Sequence, residues 1–312
     1  MELGLMTEPQ LGMTYEELLG AARFAERQGL AVFARSDHYA FPRVEAPHAT
    51  DAFATLAGLA RETSEIELCV MVSPITFRHP AVLAKMAATI DEMSGGRFRL
   101  GVGTGWMEEE HTRFGFHFGD WGERFDRLEE ALAYLHAAFG RSEGGSTGQH
   151  YTLREEEVRP QPTGRLPIVI GGSGPRRTPR LAGTYAGEFN VFLGEGPEDM
   201  RTRIQTAKHE AEKAGRDPSE LKISLMGATI AAADEASFRA MADRMAAADP
   251  FGRDVDAIVE RYRQRGLPCG PGDQARQALE TFAEVGVERF YVQHFGPFDE
   301  DLLAEIFETL RG

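Results

Sequence analysis

The sequence predicts a closed (β/α)8 barrel, and three observations carry that prediction. Short apolar or β-branched runs alternate with longer stretches of helical period along the 312 residues, the mark of repeated βα units on a parallel sheet. The count reaches about eight strands and eight main helices, which favours closure over an open, doubly wound sheet. Polar and glycine-rich tetrads follow several of the strands, on the face where a barrel builds its site.

Residues 3–7 read as the first strand. The helix at 15–28 is marked at both ends, by Thr14 as N-cap with Glu17 completing a capping box and by Gly29 as the stop. Strands at 31–35, 66–72 and 97–102 then alternate with helices at 51–63 and 80–93. A long amphipathic helix at 122–139 leads into a Gly/Ser-rich loop at 141–148 and a hairpin at 151–159, so 141–160 reads as an insertion. The cycle resumes with strands at 167–170, 189–193 and 222–231 and helices at 178–186 and 197–214. Two helical stretches, 235–248 and 255–264, form a second insertion over 234–266 before the helix at 272–285, the last strand at 289–295 and the closing helix at 300–310. No low-complexity linker interrupts 1–312, and one barrel domain is expected.

A net charge of −15 argues against binding to a nucleic-acid backbone or to anionic lipid. With no basic n-region, apolar h-region or run of membrane-spanning length, a cytoplasmic protein is expected. The two cysteines lie far apart without metal or disulfide spacing; Cys69 reads as core and Cys269 as a loop thiol.

Strand two ends in Ser36-Asp37-His38-Tyr39, a carboxylate beside an imidazole. The pair suits hydrogen bonding to a cofactor and proton transfer near neutral pH, and reads equally as an N-cap Asp beside a loop His. Gly101-Val102-Gly103-Thr104-Gly105 would let backbone approach a flat ligand, or would simply turn tightly after a core strand. It lacks the final glycine of a dinucleotide fingerprint. Gly171-Gly172-Ser173-Gly174, followed by Arg176, Arg177 and Thr178 at a helix start, reads as a phosphate cradle before it reads as a flexible loop with solvated arginines. Glu108, Glu109, Glu110 and His111 lack the spacing of a zinc helix and read as a solvated acidic face, so no metal is expected. Trp106 either stacks on a planar cofactor or packs in the core, His79 starts a helix, and the direction of His294 stays open.

Four segments, Ser36-Asp37-His38, 76–85 (TFRHPAVLAK), 94–106 (SGGRFRLGVGTGW) and 171–178 (GGSGPRRT), together resemble the luciferase-like monooxygenase superfamily. Within it the chain is similar to the oxidoreductases that use the deazaflavin coenzyme F420. By position, the resemblance implies that Asp37 hydrogen-bonds the cofactor and that His38 faces its reactive carbon as proton donor or acceptor. A bulge at Met71, Val72 and Ser73, leading into Pro74, would back the ring system through a non-proline cis peptide. Thr104 and Gly105 would border the ring, with Trp106 and Glu109 beside them, while Gly171, Gly172, Gly174 and Arg176 would hold the phosphate end.

The sugar-phosphate dehydrogenases of this family carry a glutamate where Trp106 stands, and threonine and lysine where Phe192 and Glu195 stand. The substitutions point away from a sugar phosphate and, with Tyr39, Phe41 and Phe192, toward an apolar or lipophilic small molecule. The expected activity is hydride transfer between F420 and that substrate. The alternatives are an FMN-dependent monooxygenase using reduced flavin and oxygen, and a non-catalytic flavin-binding paralogue. The resemblance also implies a homodimer.

Overall fold

Strand and helix alternate as expected in the computed structural model, which describes residues 1–41, 44, 48–142, 144–154, 158–249 and 251–312. The first half runs β1 (Glu2–Thr7), α1 (Tyr15–Arg27), β2 (Val32–Arg35), α2 (Ala52–Glu62), β3 (Glu67–Pro74), α3 (Pro80–Ser94), β4 (Phe98–Gly103), α4 (Glu108–Phe114) and α5 (Trp121–Ala138). The second runs β5 (Ser146–Thr147), β6 (Thr152–Leu153), β7 (Ile168–Gly171), α6 (Arg177–Tyr185), β8 (Glu188–Val191), α7 (Pro197–Lys213), β9 (Lys222–Ala228) and β10 (Ile230–Ala232). It closes with α8 (Glu235–Ala247), α9 (Val255–Gln264), β11 (Cys269–Pro271), α10 (Asp273–Glu284), β12 (Arg289–His294) and α11 (Glu300–Arg311).

Eight parallel strands close in the order β1-β12-β9-β8-β7-β4-β3-β2. Closure leaves the barrel itself without a free strand edge. Along each strand the faces alternate: Leu5 and Phe33 pack outward with Leu18, Ala22 and Phe24 of α1, while Met6, Val32 and Ala34 join Cys69, Met71 and Tyr291 in a separate apolar cluster. Both faces are buried, which is why these strands read as nearly continuous apolar runs. Gly4 makes room for the Tyr291 ring, since a Cβ there would lie 2.7 Å from Val32 Cγ1 and 3.0 Å from the ring.

Charges plug the end where the strands begin. The fully buried Glu188 accepts from Tyr291 Oη at 2.8 Å, Arg99 at 2.8 Å and Arg289 at 2.9 Å, and Glu67 pairs with both arginines. Burial, followed by the charge of Glu188, holds the Tyr291 phenol well above its ordinary value. With that end filled, the opposite face is left for a site.

Four expectations are corrected. The strand expected over 222–231 breaks at Thr229, and β10 leaves the barrel to pair with β11, so Cys269 is a buried strand residue and not a loop thiol. The hairpin expected over 151–159 pairs Ser146–Thr147 with Thr152–Leu153 instead, and residues 155–157 of that expectation lie outside the described residues. The stretch read as a solvated acidic face forms α4, with Glu110 and His111 buried. Among the described residues no helix is long and apolar enough to cross a membrane.

Candidate active site

The strand ends open into a cavity of about 610 Å³. Its β3 wall is the expected bulge: pairing with β4 shifts between Val70 and Ser73, and the Met71–Val72 peptide is cis. Met71, Val72 and Pro74 line the cavity, whereas Ser73 is turned away and fully buried. The bulge also explains the first glycine of β4. A Cβ on Gly101 would sit 2.0 Å from Val70 O, so Gly101 serves strand packing and not approach to a ligand.

The loop after β2 is held by two buried arginines. Arg35 donates to Ser36 O, Thr50, Thr55 and Asp51 O; burial pushes its guanidinium down to about 10, still charged at neutral pH. Arg78 pairs with Asp37, with Asp51 Oδ2 at 2.6 Å, and lies over the Phe53 ring at 4.8 Å. Asp37, expected to hold the cofactor, is therefore behind the cavity wall with its carboxylate taken by Arg78. A buried guanidinium needs a counter-charge, and Asp37 supplies it.

His38 does face the cavity. Its Nδ1–H donates to Glu110 Oε2 at 2.9 Å, and Glu110 Oε1 accepts the backbone N–H groups of Tyr39 and Ala40. Burial lowers the imidazole's affinity for a proton, but the hydrogen bond to Glu110 and its charge outweigh burial and raise the pKa above the ordinary value. With Nδ1 committed, Nε2 is the nitrogen left to exchange a proton with a ligand. Trp106 stands edge-on to the imidazole, ring centroids 5.7 Å apart.

The other expected residues divide. Thr104, Gly105, Trp106, Gly171, Gly172, Phe41 and Phe192 line the cavity. Tyr39 does not; its backbone bond to Glu110 turns the ring into a cluster with Phe77, 4.9 Å away, and Phe116, 5.5 Å away. Glu109 is exposed on the outer face of α4, one residue from the glutamate that matters. Gly174 packs against Phe125 and Thr178, where a Cβ would come within 2.6 and 2.7 Å, so its bareness serves the docking of its loop on α5. Arg176, at the N-cap of α6, is exposed beside the cavity-lining Ser173 loop without lining the cavity itself. Arg177 is turned to Asp126 and Glu129 on α5.

Sequence reasoning missed Glu110 and Glu8. Helical period was the available signal for Glu110, because positions 107, 110 and 111 share one face of α4, and Met107, Glu110 and His111 are all buried there. His111 is structural: Nδ1–H donates to Met107 O at 2.7 Å and Nε2 accepts from Thr76 Oγ1 at 2.6 Å, with burial lowering its pKa. Glu8 lines the cavity and accepts from Gln10 Nε2 at 2.7 Å and from Gln293, while Ser36 Oγ donates to Gln10 Oε1 at 2.7 Å.

The closed parallel barrel thus opens at its strand ends on a largely apolar cavity with the His38–Glu110 pair at its mouth. The chain belongs to the luciferase-like monooxygenase family, which its residues 1–292 match. It is 29% identical over 247 residues to pyrimidine monooxygenase RutA of Enterobacter sp. strain 638, covering 77% of this chain and only 65% of that protein's length. The structure resembles the coenzyme F420-dependent tetrahydromethanopterin reductase of Methanopyrus kandleri, with a TM-score of 0.76 and 18% identity over 99% of each chain. It also resembles the oxygenating constituent of 3,6-diketocamphane monooxygenase of Pseudomonas putida in complex with FMN, with a TM-score of 0.73 and 18% identity over 99% of this chain and 96% of that one.

Proposed function

We propose that the protein is a flavin-dependent monooxygenase that takes reduced FMN and dioxygen and oxidises a small organic molecule with an apolar body. The observation that carries this reading is the His38–Glu110 pair opening on a largely apolar cavity beside the β3 shelf. The likeness to RutA favours oxygen chemistry.

The residues present fit a flavin. Met71, Val72 and Pro74 form an apolar shelf for a flat ring system, and the Gly172–Ser173 loop at the start of α6, with Arg176 beside it, has the donor set of a phosphate site. When bound, reduced FMN supplies the electrons that split dioxygen, one atom entering the substrate and the other leaving as water. Water formation consumes a proton, and His38 Nε2, on the cavity wall, is positioned to deliver it. Glu110 fixes the tautomer and keeps the imidazole a competent acid at neutral pH. Trp106 and Phe192 give the substrate an apolar wall.

Hydride transfer with coenzyme F420 is the second reading, favoured by the fold shared with the Methanopyrus reductase across both chains. It would use the same imidazole. Titration of the purified protein with FMN and with F420, followed by oxygen uptake in the presence of a flavin reductase, separates the two. FMN binding with oxygen consumption supports the proposal; F420 binding with no affinity for FMN overturns it.

A further inference from the structure

The cavity reverses the charge of the chain around it. The protein carries 49 acidic against 34 basic residues, yet the carboxylate, imidazole and cationic side chains on the cavity wall are one carboxylate, Glu8, one imidazole, His38, and three guanidiniums, Arg253, Arg261 and Arg265. Glu8 is already bonded to Gln10 and Gln293. Arg253 is paired with Asp249, its Nε 3.1 Å from Oδ2. Arg261 and Arg265 make no ion pair or side-chain hydrogen bond among the described residues.

Arg261 and Arg265 stand four residues apart at the end of α9, on one face. Complementing the helix dipole would account for cations at this terminus, but it does not account for their direction. Arg263, between them, turns away to Cys269 O and the Phe238 ring, while the other two line the cavity. Arg261 and Arg265 are themselves exposed, and two like charges facing one cavity without a partner of their own are stabilised by an anion that enters it.

A second observation describes the rest of that ligand. Seven large hydrophobic side chains are strongly exposed among the described residues, and four of them line this cavity: Trp106 at 62%, Trp121 at 54%, Phe251 at 45% and Phe192 at 40%. Aromatic surface left exposed around a cavity is covered by a flat apolar body.

We propose that the substrate is an aromatic anion, its carboxylate held by Arg261 and Arg265 and its ring held among Trp106, Trp121, Phe192 and Phe251. The proposal rests on the monooxygenase reading for its reaction, but its binding chemistry is independent of the cofactor. The phosphate of a flavin is the other source of an anion. It belongs elsewhere, because the α9 arginines come from the β9–β12 connection and the Gly172–Ser173 loop follows β7, with β8 and β9 intervening around the ring.

The test is calorimetric titration of the full chain with 2-naphthoate, 2-naphthylmethanol, FMN and riboflavin, for the wild type, R261Q/R265Q and R261K/R265K. The wild type is expected to prefer naphthoate over the neutral alcohol by about tenfold or more. The glutamine variant loses that preference, the lysine variant keeps most of it, and FMN binding is unchanged in both. Equal affinity for naphthoate and the alcohol in the wild type overturns the proposal, as does a preference that survives in R261Q/R265Q. If R261Q/R265Q weakens FMN but not riboflavin, the arginines serve the flavin phosphate, which also overturns it. Absence of FMN binding or oxygen uptake would refute the monooxygenase reading and leave the naphthoate comparison intact.

Discussion

Glu110 on α4 holds His38 by its Nδ1–H at 2.9 Å, joining two residues 72 positions apart. The other oxygen of the same carboxylate ties down the backbone of Tyr39 and Ala40, so Glu110 sets the protonation of the imidazole and the path of the loop that carries it.

Replacing Glu110 by Gln keeps an acceptor for the backbone but removes the charge that raises the His38 pKa. Burial then dominates, and the His38 titration, followed by NMR of its ring protons, shifts to lower pH. The stability effect has a definite sign. A histidine whose folded pKa lies above its unfolded value stabilises the fold fully below about pH 6.5, and that contribution fades as pH rises through the folded value. The gap in melting temperature between wild type and E110Q should therefore be wider at pH 6 than at pH 9. An unmoved His38 titration would show that Glu110 does not govern the imidazole.

His38→Asn should lower turnover by roughly 10²–10⁴-fold, the usual worth of a positioned general acid or base. FMN affinity, read by fluorescence quenching, should stay within about twofold, since uniform binding does not depend on proton transfer. Wild-type turnover in H38N would remove His38 from the mechanism.

Arg78→Met leaves Asp37 buried without its counter-charge and should cost about 3–5 kcal/mol in urea unfolding. Loss of flavin affinity in R78M at undiminished stability would instead return Asp37 to the cofactor site.

Gly101→Ala drives a Cβ to 2.0 Å from Val70 O, a backbone atom that cannot swing aside. We expect destabilisation of at least about 1–3 kcal/mol, the range for overpacking, with the melting temperature as the readout. A neutral substitution would mean that the β3 bulge can relax.

Local signals in the chain were sufficient for most of the frame. Thr14 and Glu17 do form the capping box, His79 does cap α3, and Cys69 is fully buried. The bulge at Met71–Ser73 and its cis peptide also stand where the family resemblance implied. The breaks occurred where a partner comes from another element. Tyr39 follows His38 in sequence but not into the cavity, because Glu110 claims its backbone; Gly174 sits in a glycine-rich run but answers to Phe125. The SGGR motif at 94–97 proved to be a brace: Arg97 donates to Ala60 O, Thr63 and Ile66 O, holding the α2–β3 turn at the end of the barrel away from the site.

What the sequence by itself determined is the closed eight-stranded barrel and the strand-end position of His38, because hydrophobic period and chain polarity are local properties that survive without knowledge of contacts. Only the tertiary structure decided that Glu110 and not Asp37 is the carboxylate His38 uses. That choice depends on a buried guanidinium at Arg78 neutralising one acid and on the inner face of α4 delivering the other, and neither pairing is encoded in the spacing between neighbours.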